Sequence, residues 1–263
     1  MDVRRKAVGA GVTVLVGLGA VLSPAPALSA TFRVGMEGGC THSTIQAAVD
    51  ATAASPGFDY VRITRSQNYP DQSVRIHGRD VFLEGGFANC QSPTPDSGRA
   101  AVSGAGPLRG SVFTIFDGIV SLADLVIVSG DPQGDGGGIF VDNPSTRPTT
   151  LRLFNVHVEQ NTANRGGGIS VQGRRDPVDN VRLVLASDTV VKGNYAFADG
   201  GGIHCRNATV EISGARSLVP ARSSASNHPP GTAVGFVLCA APSGYAGSLT
   251  LPRSWRPPKK AIS

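Results

Sequence analysis

The stretch Asn161-Thr162-Ala163-Asn164-Arg165-Gly166-Gly167-Gly168-Ile169-Ser170-Val171 decides the fold. Its Gly-Gly-Gly-Ile tetrad occurs three times, as Gly136-Gly137-Gly138-Ile139, Gly166-Gly167-Gly168-Ile169 and Gly200-Gly201-Gly202-Ile203, at intervals of 30 and 34 residues. A second signal precedes each copy. Asp124, Asn155 and Asp188 stand six residues before Gly130, Asn161 and Asn194. The unit is therefore an Asx, then a Gly or Asn, then a glycine triplet closed by isoleucine. Asp80 and Gly86 repeat the first half alone, and the interval from Asp80 to Asp124 reads as two uninterrupted coils.

Periods of this length built from short strands mean a solenoid or a propeller. A propeller blade needs about four strands and a longer unit. The expected fold is all-β: a right-handed, single-stranded parallel β-helix with a short N-terminal capping helix. Coils stack at the sheet spacing of about 4.8 Å, so like residues stack on like. Ile139, Ile169 and Ile203 form one expected inward column, Val141, Val171 and Cys205 a second, and Ile127, Val158 and Val191 a third. Phe140, Ser170 and His204 alternate with them and are expected to face solvent. The Asx positions suit the corners, because Asp and Asn tolerate left-handed backbone and bond their own main chain. Stacked Asn161 and Asn194 can share amide hydrogen bonds up the column. Length differences between copies fall at Asp142 to Pro148 and Gly173 to Asn180, which read as loops leaving the solenoid.

Before the repeat, Ser43-Thr44-Ile45-Gln46 has the form of a capping box, with Ser43 as the cap of a helix over roughly 44–54. Pro56-Gly57 ends it, and β-type runs at Tyr60–Ile63, Ser73–Ile76 and Val81–Leu83 follow. Residues 1–30 have the layout of a secretory signal peptide. Arg4-Arg5-Lys6 precedes an uncharged apolar run from Ala7 to Leu22, then Pro24, Pro26 and small residues. That run is shorter than the roughly 20 residues a spanning helix needs. Export places the four cysteines where disulfides persist. Four cysteines allow three pairings; Cys40 and Cys90 flank one N-terminal unit and are expected to pair. Cys205 lies on an inward column and reads first as a small buried side chain, with pairing to Cys239 as the alternative.

Composition agrees with a glycine-rich β protein. There are 34 Gly and 18 Pro, and charged residues make up 16%. So much glycine and so little charge exclude a coiled coil, and glycine without a three-residue period excludes collagen. The net charge of +5 belongs to the two ends; residues 31–214 carry 15 basic and 18 acidic side chains. Nucleic-acid binding needs a basic stripe on a folded face, and the middle of the chain supplies none.

Two resemblances follow from these residues. The Gly-Gly-Gly-Ile unit with its upstream Asn resembles the repeat of chlamydial polymorphic outer-membrane proteins. The opening Thr44-Ile45-Gln46-Ala47-Ala48 looks like that of bacterial exported right-handed β-helix proteins. The resemblance covers about 40–214 and implies a surface or secreted protein, often adhesin-like. The autotransporter members end in a membrane β-barrel, and no such segment is read here.

The expected organisation is a signal peptide over 1–30, an N-terminal cap with its helix over 31–57, about five coils of β-helix over 58–214, and an irregular basic tail over 215–263. A reading frame shifted after about 214 would explain that tail as well, and would leave an open sheet edge prone to association. No catalytic, cofactor or metal residues are assigned. His42, His77, His157, His204 and His228 are scattered, and paired carboxylates of a glycosidase are not recognisable. Gly134-Asp135-Gly136 only partly matches a calcium-binding nonapeptide repeat, and the other copies lack its spacing. The expectation is an exported, monomeric surface or secreted module. It binds glycans or proteins through one flat face and has no membrane-spanning segment after signal cleavage. Alternatives are a carbohydrate-active enzyme of the pectin-degrading type and a truncated remnant without function.

Overall fold

The computed structural model of the protein describes residues 29–106, 109–174 and 180–213, with four short strands beyond Ser213. The expected signal peptide and most of the expected basic tail lie outside the described residues. The chain enters on β1 (Thr31–Val34), passes through α1 (Ile45–Ala51) and a 3-10 turn at Thr52–Ala54, and then coils. A first coil holds β2 (Asp59–Thr64) and β3 (Val74–His77). A second holds β4 (Val81–Phe87), β5 (Ala100–Ser103) and β6 (Phe113–Phe116). A third holds β7 (Gly118–Ala123), β8 (Leu125–Val128) and β9 (Ile139–Asp142). The fourth gains a short extra strand: β10 (Thr149–Phe154), β11 (His157–Glu159), β12 (Thr162–Ala163) and β13 (Ile169–Gln172). The fifth repeats it with β14 (Val181–Ala186), β15 (Val190–Lys192), β16 (Tyr195–Ala196) and β17 (Ile203–Arg206). Then β18 (Thr209–Ser213) opens a further turn. Parallel pairing continues past Gly214, through β19 (Ser217–Leu218), β20 (Arg222–Ser223), β21 (Leu238–Ala240) and β22 (Leu249–Thr250).

The strands stack into three long sheets and one short one, a parallel β-helix. The first face runs β1-β2-β4-β7-β10-β14-β18-β22, the second β5-β8-β11-β15-β19, the third β3-β6-β9-β13-β17-β21, and β12-β16-β20 forms the short sheet. Register follows the repeat. Ile139, Ile169 and Ile203 are direct neighbours, as are Val141, Val171 and Cys205, and all six are buried. On the second face Ile127, Val158 and Val191 align and are buried. Burying such a side chain stabilises by about 1.5–3 kcal/mol, and the leucine column of the first face (Leu83, Leu122, Leu153, Leu185) adds to the same core.

Corner chemistry explains the Asx signal. Asp124, Asn155 and Asp188 have φ of 52°, 54° and 57°, the left-handed region that short polar side chains tolerate. Each stands between a first-face and a second-face strand. The next corner carries the asparagine ladder, where Asn161 and Asn194 are almost wholly buried. Asn161 Oδ1 accepts from Gly130 N (2.9 Å), while its Nδ2 donates to Ile127 O, Glu159 O and Asn194 Oδ1, each at 3.0 Å. Asn194 Nδ2 in turn donates to Val158 O at 2.9 Å.

The structure corrects two local expectations. Val81 pairs with Val120, so the interval from Asp80 to Asp124 is one coil with inserted loops rather than two short coils. Asp80 therefore sits before β4, at the corner that Asp117 occupies before β7, and its Oδ1 accepts from Ile119 N at 2.8 Å. The Asx column position in that coil belongs to Gly85-Gly86 at the end of β4. The helix cap is Thr44 rather than Ser43: its hydroxyl accepts from Ala47 N at 3.2 Å. Gln46, instead of closing a capping box, exchanges two bonds with the Arg75 main chain of β3 and so ties helix to solenoid.

Cys40 and Cys90 form the expected disulfide. Beside it, Glu37 accepts from Cys90 N (3.1 Å) and Ser66 Oγ (3.0 Å). Cys205 is disulfide-bonded as well as buried, and the register sets Cys239 opposite it. No helix among the described residues is long and apolar enough to cross a membrane.

Candidate functional site

The third face carries the densest polar arrangement, and the glycine triplets create it. Gly136, Gly166 and Gly200 have φ of 71°, 60° and 63°, and a β-carbon on Gly166 would lie 2.3 Å from Ile169 O. The chain thus doubles back tightly over the strand it is about to enter. The residues just before the triplets, Asp135, Arg165 and Asp199, are thereby brought over the outer side of β9, β13 and β17. They stack as carboxylate, guanidinium, carboxylate: Arg165 lies 3.9 Å from Asp135 and 4.0 Å from Asp199. Arg165 is half exposed, so each contact is worth little as stability; its importance is geometric.

Beneath that stack lie the outward residues of the strands. Phe140, Ser170 and His204 align in one row, and Asp142, Gln172 and Arg206 in the next. Ser170 and His204, expected in solvent, are 0% and 7% exposed, because the folded-back turns cover them. Ser170 Oγ lies 3.3 Å from His204 Nδ1. Burial holds His204 below the usual imidazole range; Asp135 and Asp199 oppose that shift, while Arg165 and Arg206 reinforce it. The ring is therefore neutral at pH 7. Gln172 links the rows, donating to Asp135 Oδ2 at 2.7 Å and accepting from Arg206 at 2.9 Å. Burial raises the Asp142 carboxyl, with Arg206 opposing and Asp117 adding to the shift.

The chemistry available is recognition through hydrogen bonds. Three carboxylates, one carboxamide and two guanidinium groups repeat on consecutive rungs, so a polymer laid along the axis meets donors and acceptors at a constant interval. The summed formal charge of Asp135, Asp142, Asp199, Arg165 and Arg206 is −1, which repels anions. Arg165 is already flanked by two carboxylates. Ser170 and His204 lack the third member of a triad: no carboxylate bonds the imidazole among the described residues, and the hydroxyl is sealed from substrate. The Glu37–Cys40–Cys90 cluster offers no thiolate ligands, since its sulfurs are bonded to each other.

Of the residues singled out by sequence, the glycines and isoleucines build the turns and core of this face, and Asp124, Asn155, Asp188, Asn161 and Asn194 build corners away from it. The site itself was missed. Its signal was present in the residue before each triplet and the third residue after each isoleucine. Comparison with known proteins finds no matching family model, no matching curated relative and no matching solved structure.

Proposed function

We propose that this chain is an exported β-helix module, secreted or held at the cell surface, which binds neutral, hydroxyl-rich glycans along its third face. The observation that carries the reading is the stack of Asp135, Arg165 and Asp199 folded over Phe140, Ser170 and His204. Carboxylates and carboxamides accept from sugar hydroxyls, and a half-buried aromatic ring offers a stacking surface, the usual mixture of apolar and polar groups in such sites. The Arg4-Arg5-Lys6 and apolar opening and the Cys40–Cys90 disulfide support export. The pectin-degrading alternative is weaker, because an acidic substrate would meet a net-negative face.

The test is retention of the full secreted chain on immobilised neutral polysaccharides. Gln172→Ala removes the link between Asp135 and Arg206, and binding should weaken several-fold while the melting temperature holds. A chain that ignores every neutral glycan, or a variant that binds unchanged, refutes the reading.

A further inference from the structure

A second recognition site lies at the N-terminal end of the solenoid, independent of the third face. A groove of about 330 Å³ opens between the segment after the helix and the corner before β4, lined by Ser55, Gly57, Asp59, Arg79, Asp80 and Arg147. Arg147 comes from the β9–β10 loop, far along the chain. Its guanidinium donates to Gly78 O at 3.0 Å and Asp80 Oδ1 at 2.7 Å. The loop holds it there: Asn143 Nδ2 donates to Arg147 O, and Arg147 N donates to Ser145 Oγ, whose hydroxyl in turn donates to Asp117 Oδ1.

The charges in the groove are not equally available. Arg147 and Asp80 are paired with each other. Asp59 is 1% exposed, and its Oδ1 is occupied by Ala30 N and the Ser55 hydroxyl, each at 2.8 Å. The Arg79 side chain makes no hydrogen bond or ion pair among the described residues. Arg79 therefore lines the groove with its planar fork of donors outside any ion pair, while the Asp59 carboxylate lies buried beneath neutral donors. Such a fork suits a carboxylate or sulfate bidentately.

Beside the groove the surface changes character. Phe58 and Tyr60 flank Asp59, and Phe82 follows Tyr60 across the first face. Their rings form an edge-to-face ladder, with centroids 5.8 Å apart for Phe58–Tyr60 and 5.9 Å for Tyr60–Phe82. Phe58, Tyr60 and Ile119 are each 37% exposed, three of the five exposed large apolar side chains among the described residues. Ile119 adjoins the groove through its bond to Asp80. An apolar ladder bordering a lone guanidinium matches a pyranose bearing an acid. The C–H face of the ring covers the aromatics, the acid group meets Arg79, and ring hydroxyls reach Asp80 and Ser55.

We propose that the Arg79 groove and the Phe58–Tyr60–Phe82 ladder together bind an anionic pyranose of a glycan chain. Carboxylate and sulfate share this chemistry, and the probes separate them. Full-length secreted chain is titrated calorimetrically with a hexuronate oligosaccharide, a sulfated oligosaccharide and a neutral one of equal length. One or both acidic probes should bind with an affinity that falls as salt rises, while the neutral probe, held by the third face, should be insensitive to Arg79→Gln. The tighter of the two identifies the acid group. Arg79→Gln should cost tenfold or more, Arg79→Lys should restore part of the loss, and Tyr60→Ala should weaken binding several-fold. Gln172→Ala should leave acidic binding unchanged, so failure here and failure on the third face are distinguishable. Both altered side chains are partly exposed, and unchanged circular dichroism confirms folding. The proposal is overturned if neither acidic probe binds, if Arg79→Gln binds the acidic probes like wild type, or if Arg79→Gln weakens the neutral probe as much as the acidic ones.

Discussion

Replacing Asn161 by Asp changes one NH2 to an oxygen at nearly constant volume, in a position 1% exposed. In the native chain that NH2 faces three acceptors, Ile127 O, Glu159 O and Asn194 Oδ1. Asn161→Ala deletes those bonds and the one received from Gly130 N. At about 1 kcal/mol net per bond, the alanine loses roughly 3–4 kcal/mol. The aspartate retains the Gly130 bond but points a buried, charged oxygen at the three acceptors. It should therefore be worse than alanine at pH 7, by roughly 1–2 kcal/mol more. Burial and the facing acceptors raise the folded-state pKa of the new carboxyl above its unfolded value of about 3.9. The folded state then holds the proton more tightly, so the variant gains stability as pH falls toward the unfolded value, where a protonated carboxyl donates to one carbonyl. Urea unfolding followed by circular dichroism, with wild type and both variants at pH 7 and pH 4, measures this. If the aspartate matches or exceeds the alanine at pH 7, the role of the ladder as a donor to buried carbonyls is refuted.

Gly166→Ala and Gly193→Ala share φ near +60°, but a β-carbon at Gly193 meets nothing within 4 Å, whereas at Gly166 it lies 2.3 Å from Ile169 O. Gly193→Ala should cost about 1–2 kcal/mol from backbone alone, and Gly166→Ala clearly more; equal losses in thermal unfolding would count against the folded-back turn. Removing the Cys40–Cys90 bridge as a double serine variant should lower stability by about 4 kcal/mol, given a sequence separation of 50; a shift in urea midpoint corresponding to under 1 kcal/mol would contradict this. Because burial depresses His204 in the folded state, the unfolded chain takes up its proton first, and stability falls as pH drops below about 6.5. His204→Gln should flatten that slope relative to wild type; an unchanged slope in calorimetric melts between pH 7 and pH 5 assigns it to other groups, such as His157, which burial also lowers.

The architecture was legible because a parallel solenoid encodes position by period. Identical spacing returns each isoleucine to the same rung, so register at Ile139, Ile169 and Ile203 follows from counting. The asparagine ladder was legible for the same reason. Where the period lapsed, counting failed: between Asp80 and Asp124 an inserted loop and two short coils look alike in one dimension, and only strand pairing separates them. The cap lies one residue later than the pattern suggests: the Thr44 hydroxyl takes the Ala47 amide, and the Gln46 side chain is engaged by Arg75 of β3 and by Asp50.

What the sequence determined alone is the stacking core, since interior packing depends on which residues recur and at what interval. The surface was decided in three dimensions. Alternation placed Ser170 and His204 outside, yet the left-handed glycines fold the turns over them. Likewise Arg79 and Arg147 share a groove only because a loop of irregular length reaches back across the coils. A periodic pattern specifies neighbours along the axis, whereas contacts made around it depend on where unequal loops fall.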